Sequence, residues 1–200
     1  GGWNARGSTY AGATLSLGTF YVIEMRDAFT TGFSRGDMAA NLLGVGLGVL
    51  FREVPRLDAL FDLRVQYFPS SAYFKRFGQQ GFDVAEDYTG ETFLFAWHLC
   101  SLPIIERSTG PLRFVDLVLG YNARNYLPLP EDPRVTQYQD RFVGVSLNLQ
   151  RIVDELWQGR HPRLGKSGTP GHGVAHFASE FFNLPYTTLP LGTWRNVHRR

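Results

Sequence analysis

The sequence predicts an α+β chain in which an N-terminal, glycine-notched pair of apolar helices packs on an antiparallel sheet of about four to six strands. Three observations carry this. Apolar residues recur at helical spacing through the first fifty positions, the period changes to two after Pro55, and clusters rich in proline and glycine separate the later segments. The 200 residues, 44% apolar and 19% charged, can bury a core without metal or disulfide support, so one domain over residues 1–200 is expected. Within it the helix pair takes residues 14–53 and the strands residues 60–191.

From Thr14 to Phe29, Leu17, Phe20, Tyr21 and Ile23 recur at helical spacing and predict the first helix. Gly32 breaks the pattern, and Ser34 with Asp37 forms an S-x-x-D box that opens a second helix. That helix runs to about Glu53, where Pro55 prevents much continuation. Asn41 is the only strongly polar residue between Met38 and Phe51, a run shorter than the ~20 residues needed to cross a bilayer. Ala40, Gly44 and Gly48 recur every four residues and predict a shaved helix face against which another backbone packs closely.

After Pro55, Phe61, Leu63, Val65 and Tyr67 alternate with Asp62, Arg64 and Gln66, the mark of a strand with one apolar and one polar face. Phe93 to Leu99 repeats the alternation, with His98 on the polar side and Pro103 closing the run. Val115 to Asn122 and Val143 to Leu149 form the third and fourth strands and are expected to pair as a hairpin. Between them residues 125–140 hold Pro128, Pro130 and Pro133 and read as an exposed loop tolerant of insertions. Residues 160–173 read as a second loop, and Val174 to Leu191 as one or two short strands broken at Pro185, before a basic tail ending in Arg199 and Arg200. Six strands fall short of the ~8 of the smallest bacterial barrels, so the expected arrangement is a sheet whose apolar face packs on the helix pair or rests on a membrane.

Net charge is only +2 and the basic residues are scattered, which argues against nucleic acid as a partner. The lone Cys100 excludes an internal disulfide. No nucleophile elbow, Walker loop, dinucleotide glycine fingerprint or CxxC pair is present, so no cofactor is expected and the common enzyme classes lose their support. Gly44-x-Gly46-x-Gly48 lies within a helix and follows no strand, unlike a phosphate-binding loop.

The segment Ile23 to Gly48, with its acidic pair followed by G-F-S-x-x-D-x-x-A-N-x-x-G, resembles the conserved block of the YfiM-like uncharacterised bacterial lipoproteins. D-Y-T-G-E-T-F from Asp87 to Phe93, L-G-Y-N-A from Leu119 to Ala123, V-S-L-N-L from Val145 to Leu149 and N-L-P-Y-T-T-L from Asn183 to Leu189 follow in the order that the resemblance implies. It implies a cell-envelope protein at the periplasmic face of the outer membrane or in that membrane, directed there by a signal upstream of Gly1. The family's upstream Asp-Lys…His helix is missing from this sequence. The E…D…A-N-x-x-G arrangement is also similar to one in VanZ-like membrane proteins.

Two groups are candidate sites. Glu24 and Asp27 share a face of the first helix, and Asp37 and Asn41 share one of the second, where they could supply acid/base groups or metal ligands to a lipid or cell-wall substrate. The competing explanation is that Asp37 caps the second helix, Asn41 bonds a carbonyl across the glycine-notched contact, and Arg26 or Arg35 neutralises the acids. His172, His176 and Glu180 have the spacing of metal ligands on one helical turn, but Gly171 and Gly173 disfavour a helix there. The leading expectation is a non-catalytic envelope component that binds another envelope protein or a lipid surface. An enzyme using the Glu24 group and a carrier of an apolar ligand are the alternatives.

Overall fold

The computed structural model describes residues 4–30, 32–76, 87–106, 110–126, 136–158 and 170–198. They fall into two compact units, Gly1–Ala59 and Leu60–Arg200.

The first unit is helical. Helix α1 spans Ala5–Thr30, starting well before the expected Thr14. The early start has a local cause: Asn4 caps the helix, its Oδ1 accepting from the Gly7 amide at 2.6 Å, which offsets the weak helix propensity of Ser8, Thr9 and Gly12. At the other end the Gly32 amide donates to the Asp27 carbonyl at 2.8 Å, and Gly32 takes φ +105°, the left-handed conformation with which glycine ends helices. Helix α2 spans Arg35–Glu53 with Ser34 as its N-cap, the Ser34 hydroxyl accepting from the Asp37 amide at 3.2 Å. Pro55 then begins a one-turn helix α3, Pro55–Asp58.

The glycine stripe does not serve the contact predicted for it. Ala40, Gly44 and Gly48 are exposed, and a Cβ on Gly44, Gly46 or Gly48 would meet nothing within 4 Å. The less exposed stripes are Ala13, Leu17, Phe20, Glu24 and Asp27 on α1, and Ser34, Met38, Asn41, Val45 and Val49 on α2. Their steps of three and four residues place each set on one helix face. Among the described residues no helix is long and apolar enough to cross a membrane.

The second unit is built on a six-stranded sheet. Strand β1, Phe61–Tyr67, leads to a short helix α4, Ser71–Arg76, and strand β2, Glu91–His98. A 3-10 turn, Leu99–Ser101, and helix α5, Pro103–Glu106, follow, and a second 3-10 turn, Pro111–Phe114, opens strand β3, Val115–Arg124. Strand β4, Gln137–Leu147, precedes helices α6, Leu149–Gln158, and α7, Pro170–Phe181, and the chain ends on strands β5, Phe182–Asn183, and β6, Thr188–His198. The order is β5-β1-β2-β3-β4-β6, antiparallel except for the β1–β5 pair, so the sheet is mixed. The α+β class and the β3–β4 hairpin are as expected.

Three expectations change. Strand β4 begins at Gln137, which takes the end of the expected 125–140 loop into the sheet; residues 127–135 lie outside the described ones. Of the expected 160–173 loop, residues 160–169 lie outside the described ones; α7 takes Val174 to Phe181, while β5 and β6 fall on either side of Pro185, where one or two short strands were expected. Pro170 at the first position of α7 presets the helical φ and outweighs the two glycines. Helix α6 was not foreseen; Asn148 caps it, its Oδ1 accepting from the Arg151 amide at 2.7 Å.

The sheet is strongly curled. Its outermost strands, β5 and β6, are consecutive in the chain and joined only by Leu184–Thr187. Asn183 on β5 ties them: its Nδ2 donates to Thr188 on β6 at 2.8 Å, Ser146 on β4 at 3.2 Å and Gln66 on β1 at 3.2 Å. Strands at opposite ends of the ladder therefore meet across the concave side.

Burial of the two faces is inverted relative to a soluble sheet. Asp62, Arg64, Thr92, His98, Asp116, Asn122, Asp140 and Ser146 are buried on the concave face, around a small apolar cluster of Leu94, Ala96, Val118 and Phe142. On the convex face Leu63, Phe93, Trp97, Leu117, Leu119, Val143 and Leu147 are exposed, Leu119 to 56%. Within this unit the apolar face of the sheet is the more exposed one. Period-two alternation separates two faces without saying which one meets solvent.

Phe142 lies over Gly120, where a Cβ would collide with its ring. Gly120→Ala should therefore destabilise the sheet by about 1–3 kcal/mol, the usual cost of overpacking, in a urea titration. Adding Phe142→Leu should recover part of that loss, and additive losses would show that the ring does not fill this space.

Candidate functional site

The concave face gathers a cluster of charges at one end of the sheet. Register sets its geometry, because His98 on β2 faces Asp116 on β3, which faces Ser146 on β4. Asp62 and Arg64 reach the same level from β1. Arg64 donates to Asp62 Oδ2 through Nη2 at 2.7 Å and Nε at 3.1 Å, and its Nη1 lies 2.9 Å from Asp116 Oδ2. The His98 ring sits between the same two acids, Nδ1 2.9 Å from Asp116 Oδ1 and Nε2 3.0 Å from Asp62 Oδ2. Asn148, fixed by its cap on α6, donates from Nδ2 to Asp116 Oδ1 at 2.8 Å. Its Nδ2 comes within 2.9 Å of His98 Nδ1 because both donors converge on one oxygen.

Two cations balance two anions, with Arg64 exposed to 1% and Asp116 to 0%. This balance makes the burial tolerable, since an isolated ion there would cost several kcal/mol. Burial opposes protonation of His98, but its bonds to Asp116 and Asp62 outweigh that and raise its pKa from 6.5 to about 9. Burial likewise opposes ionisation of Asp62, and His98 and Arg64 overcome it to hold the carboxyl below its usual range.

The arrangement resembles a catalytic Asp–His pair only superficially. Both ring nitrogens of His98 face carboxylates, which leaves neither as a base for a nucleophile. Cys100 Sγ lies 3.8 Å from Asn148 Nδ2, and burial, with the nearby Asp116 charge, pushes its thiol up to about 11, so it is not a thiolate at neutral pH. The cluster is suited to hold β1, β2, β3 and α6 in register. Sequence reasoning assigned His98 no role; the signal available was a histidine on the same strand face as Asp62, Arg64 and Asp116.

The residues proposed from sequence fall elsewhere. Glu24, 5% exposed, accepts from the Ser34 amide, so an α1 side chain supplies the second bond of the capping box that Asp37 would ordinarily give. Asp37 occupies the first turn of α2 on an exposed face, where its charge suits the helix N-terminus. Asp27 and Asn41 lie on the less exposed stripes with Glu24. His172, His176 and Glu180 do share a helix, α7, but the side chains of His172 and His176 lie outside the described ones. Among the described residues no cluster of three His, Cys, Asp or Glu side chains could hold a metal.

Two measurements test these assignments. Glu24→Gln should destabilise the helical hairpin by about 1–3 kcal/mol through the poorly accepted Ser34 amide, read by helical circular dichroism against urea; an unchanged midpoint would mean the bond is immaterial. The cluster makes stability depend on pH with a defined sign. The folded His98 pKa exceeds its unfolded 6.5, so its contribution is full below pH 6.5 and is lost as pH rises through about 9. Asp62 adds stability above pH 3.8 that is lost as pH falls, so urea midpoints should be highest between 3.8 and 6.5. His98→Gln should remove the alkaline slope, whereas a wild-type midpoint flat to pH 9.5 would contradict a charged ring.

Comparison with known proteins bears on the helical unit. Residues 1–53 match a family described as predicted periplasmic lipoproteins (DUF2279), so the match covers α1 and α2 and ends with α2. No curated protein and no solved structure matches the chain. The similarity to predicted periplasmic lipoproteins supports a place for this chain in the cell envelope.

Proposed function

We propose that the protein is a non-catalytic component of the cell envelope that seats in lipid at the outer membrane through the convex face of its curled sheet. The observation that carries this is the inverted burial: ions and amides inside, leucine, valine and aromatic side chains outside. Proteins that face lipid with a sheet use this arrangement, while soluble monomers rarely expose contiguous apolar patches beyond a few hundred Å².

The apolar rows are continuous across strands. Leu63, Phe95, Leu119 and Val143 align in one row, and Phe61, Trp97, Leu117 and Val145 in the next. The adjoining row passes through Tyr121, Arg141 and Trp194, the amphipathic types that collect where lipid meets water. Strands β3, β4 and β6, at 10 to 11 residues, have the length of membrane-spanning strands, ~9–11 residues. A lipid partner fits this surface because the band is apolar over several rows and is bordered by residues of amphipathic type. Two features weigh against the alternatives. Glu24 is spent on the Ser34 amide, and the enclosed face is too polar to hold an apolar ligand.

The purified full chain should float with phosphatidylethanolamine/phosphatidylglycerol vesicles, and acyl-chain bromination should quench Trp97 and Trp194. Leu119→Lys should weaken partitioning by about 2–4 kcal/mol if the position lies near mid-bilayer, less if shallower. A chain that stays monomeric in detergent-free buffer and does not float would overturn the proposal; one that instead forms a stable complex with a second envelope protein would reassign the face to that partner.

A further inference from the structure

A second feature of the sheet unit lies away from both the ion cluster and the apolar rows. A cavity of about 310 Å³ opens where the strand ends meet. Its floor and walls include Gln66 at the end of β1, Ser70 before α4, Thr92 at the start of β2 and Arg124 at the end of β3, and Phe68 and Tyr186 lie at its edge. The size suits a small ligand, at the lower end of the range for such sites.

The edge is held in an unusual way. Tyr186 adopts φ +66°, a left-handed conformation in which side chains other than glycine and asparagine are strained. Core packing does not explain it, since Tyr186 is 84% exposed. Its ring meets Phe68 edge to face, with centroids 5.5 Å apart and planes at 64°. Two aromatic surfaces are thus kept beside the cavity instead of being folded away.

The lining selects a ligand class. Among the described residues it contains no carboxylate and no histidine, so they offer a metal ion no ligands of its usual kind. Among the described residues Arg124 is the only charged one in it, and one of its guanidinium nitrogens already donates to the Thr89 carbonyl, which is a thin provision for a free anion. The Gln66 Oε1 accepts from Asn183, leaving its Nε2 as a donor without a partner among the described residues. The Ser70 hydroxyl accepts from the Tyr73 amide at 3.1 Å and keeps its own proton to donate. Thr92 adds a hydroxyl that can do either. A floor of mixed donors and acceptors under exposed aromatic faces matches a ring with equatorial hydroxyls and apolar C–H faces.

We infer that the cavity bounded by Gln66, Ser70, Thr92, Arg124, Phe68 and Tyr186 is a binding site for a saccharide unit. The sugar would lay one face on the aromatic edge and direct its hydroxyls to the floor. The inference is independent of the lipid reading, because a free sugar in solution tests it without a membrane.

The experiment is saturation-transfer NMR on the full chain with N,N′-diacetylchitobiose, maltose and inorganic phosphate as separate probes. Irradiation of the aromatic protons should transfer to ring C–H protons of at least one sugar. Tyr186→Ala and Phe68→Ala should each weaken binding about tenfold, equivalent to ~1.4 kcal/mol, with the melting temperature preserved because both rings are exposed. Absence of transfer to either sugar at millimolar concentration would overturn the assignment, as would binding left intact in both variants. Phosphate shifting the Arg124 side-chain signals while neither sugar binds would make this an anion site and also refute it. Comparing free maltose with a glycolipid carrying the same disaccharide in vesicles would identify the source of the sugar once binding is seen.

Discussion

The contact of Arg64 with Asp62 and Asp116 is the constraint on which the larger unit depends. Strands β1 and β3 meet in that one interaction, and each acid is shared with His98 on β2. Removing any member would strand a charge in the interior at a cost of about 3–5 kcal/mol, a large part of the stability of a typical domain. The curl of the sheet brings this interaction indoors, because the cluster lies on the enclosed concave face. Convexity on the far side then spreads the apolar side chains outward. Polar interior and apolar exterior are two views of one packing solution.

The helical unit solves a smaller problem of the same type. A reversal between two helices leaves amide groups at the start of the second one to be satisfied. Ser34 takes one in the ordinary way, while Glu24 reaches from the first helix to take the amide of Ser34 itself. The acid thus joins the two helices through a cap. Its position on the less exposed stripe among Leu17, Phe20 and Met38 explains a carboxylate in a segment otherwise rich in apolar side chains.

Much of this architecture is legible in the residues. The alternation from Phe61 to Tyr67 places β1 at its observed limits, and the Ser34 box and Pro55 bound α2. Those signals succeed because they are local. What the sequence conceals is relational. Asp62, Arg64 and His98 look like solvent-facing residues because nothing nearby in the chain announces Asp116 as their partner. The Gly44 and Gly48 spacing fits a helix contact, yet which face meets a neighbour depends on the neighbour. Helix α7 was hidden by Gly171 and Gly173, whose penalties are small beside the gain from tertiary packing. The cavity edge was equally hidden, since the left-handed turn at Tyr186 carries none of the glycine that ordinarily marks one.

The short parallel pairing of β1 with β5 bears on how the chain acquires its structure. Gln66 and Asn183 are separated by 117 positions, so the first strand of the sheet cannot receive this partner until nearly the whole chain has been made. Such distant closure makes folding slow relative to helical proteins of similar stability. Until β5 arrives, the concave face stays open to water and its charges remain hydrated, so no premature burial of unpaired ions is forced on the nascent chain. The convex apolar surface gains no cover from that closure, so the chain presents it from the first strands onward.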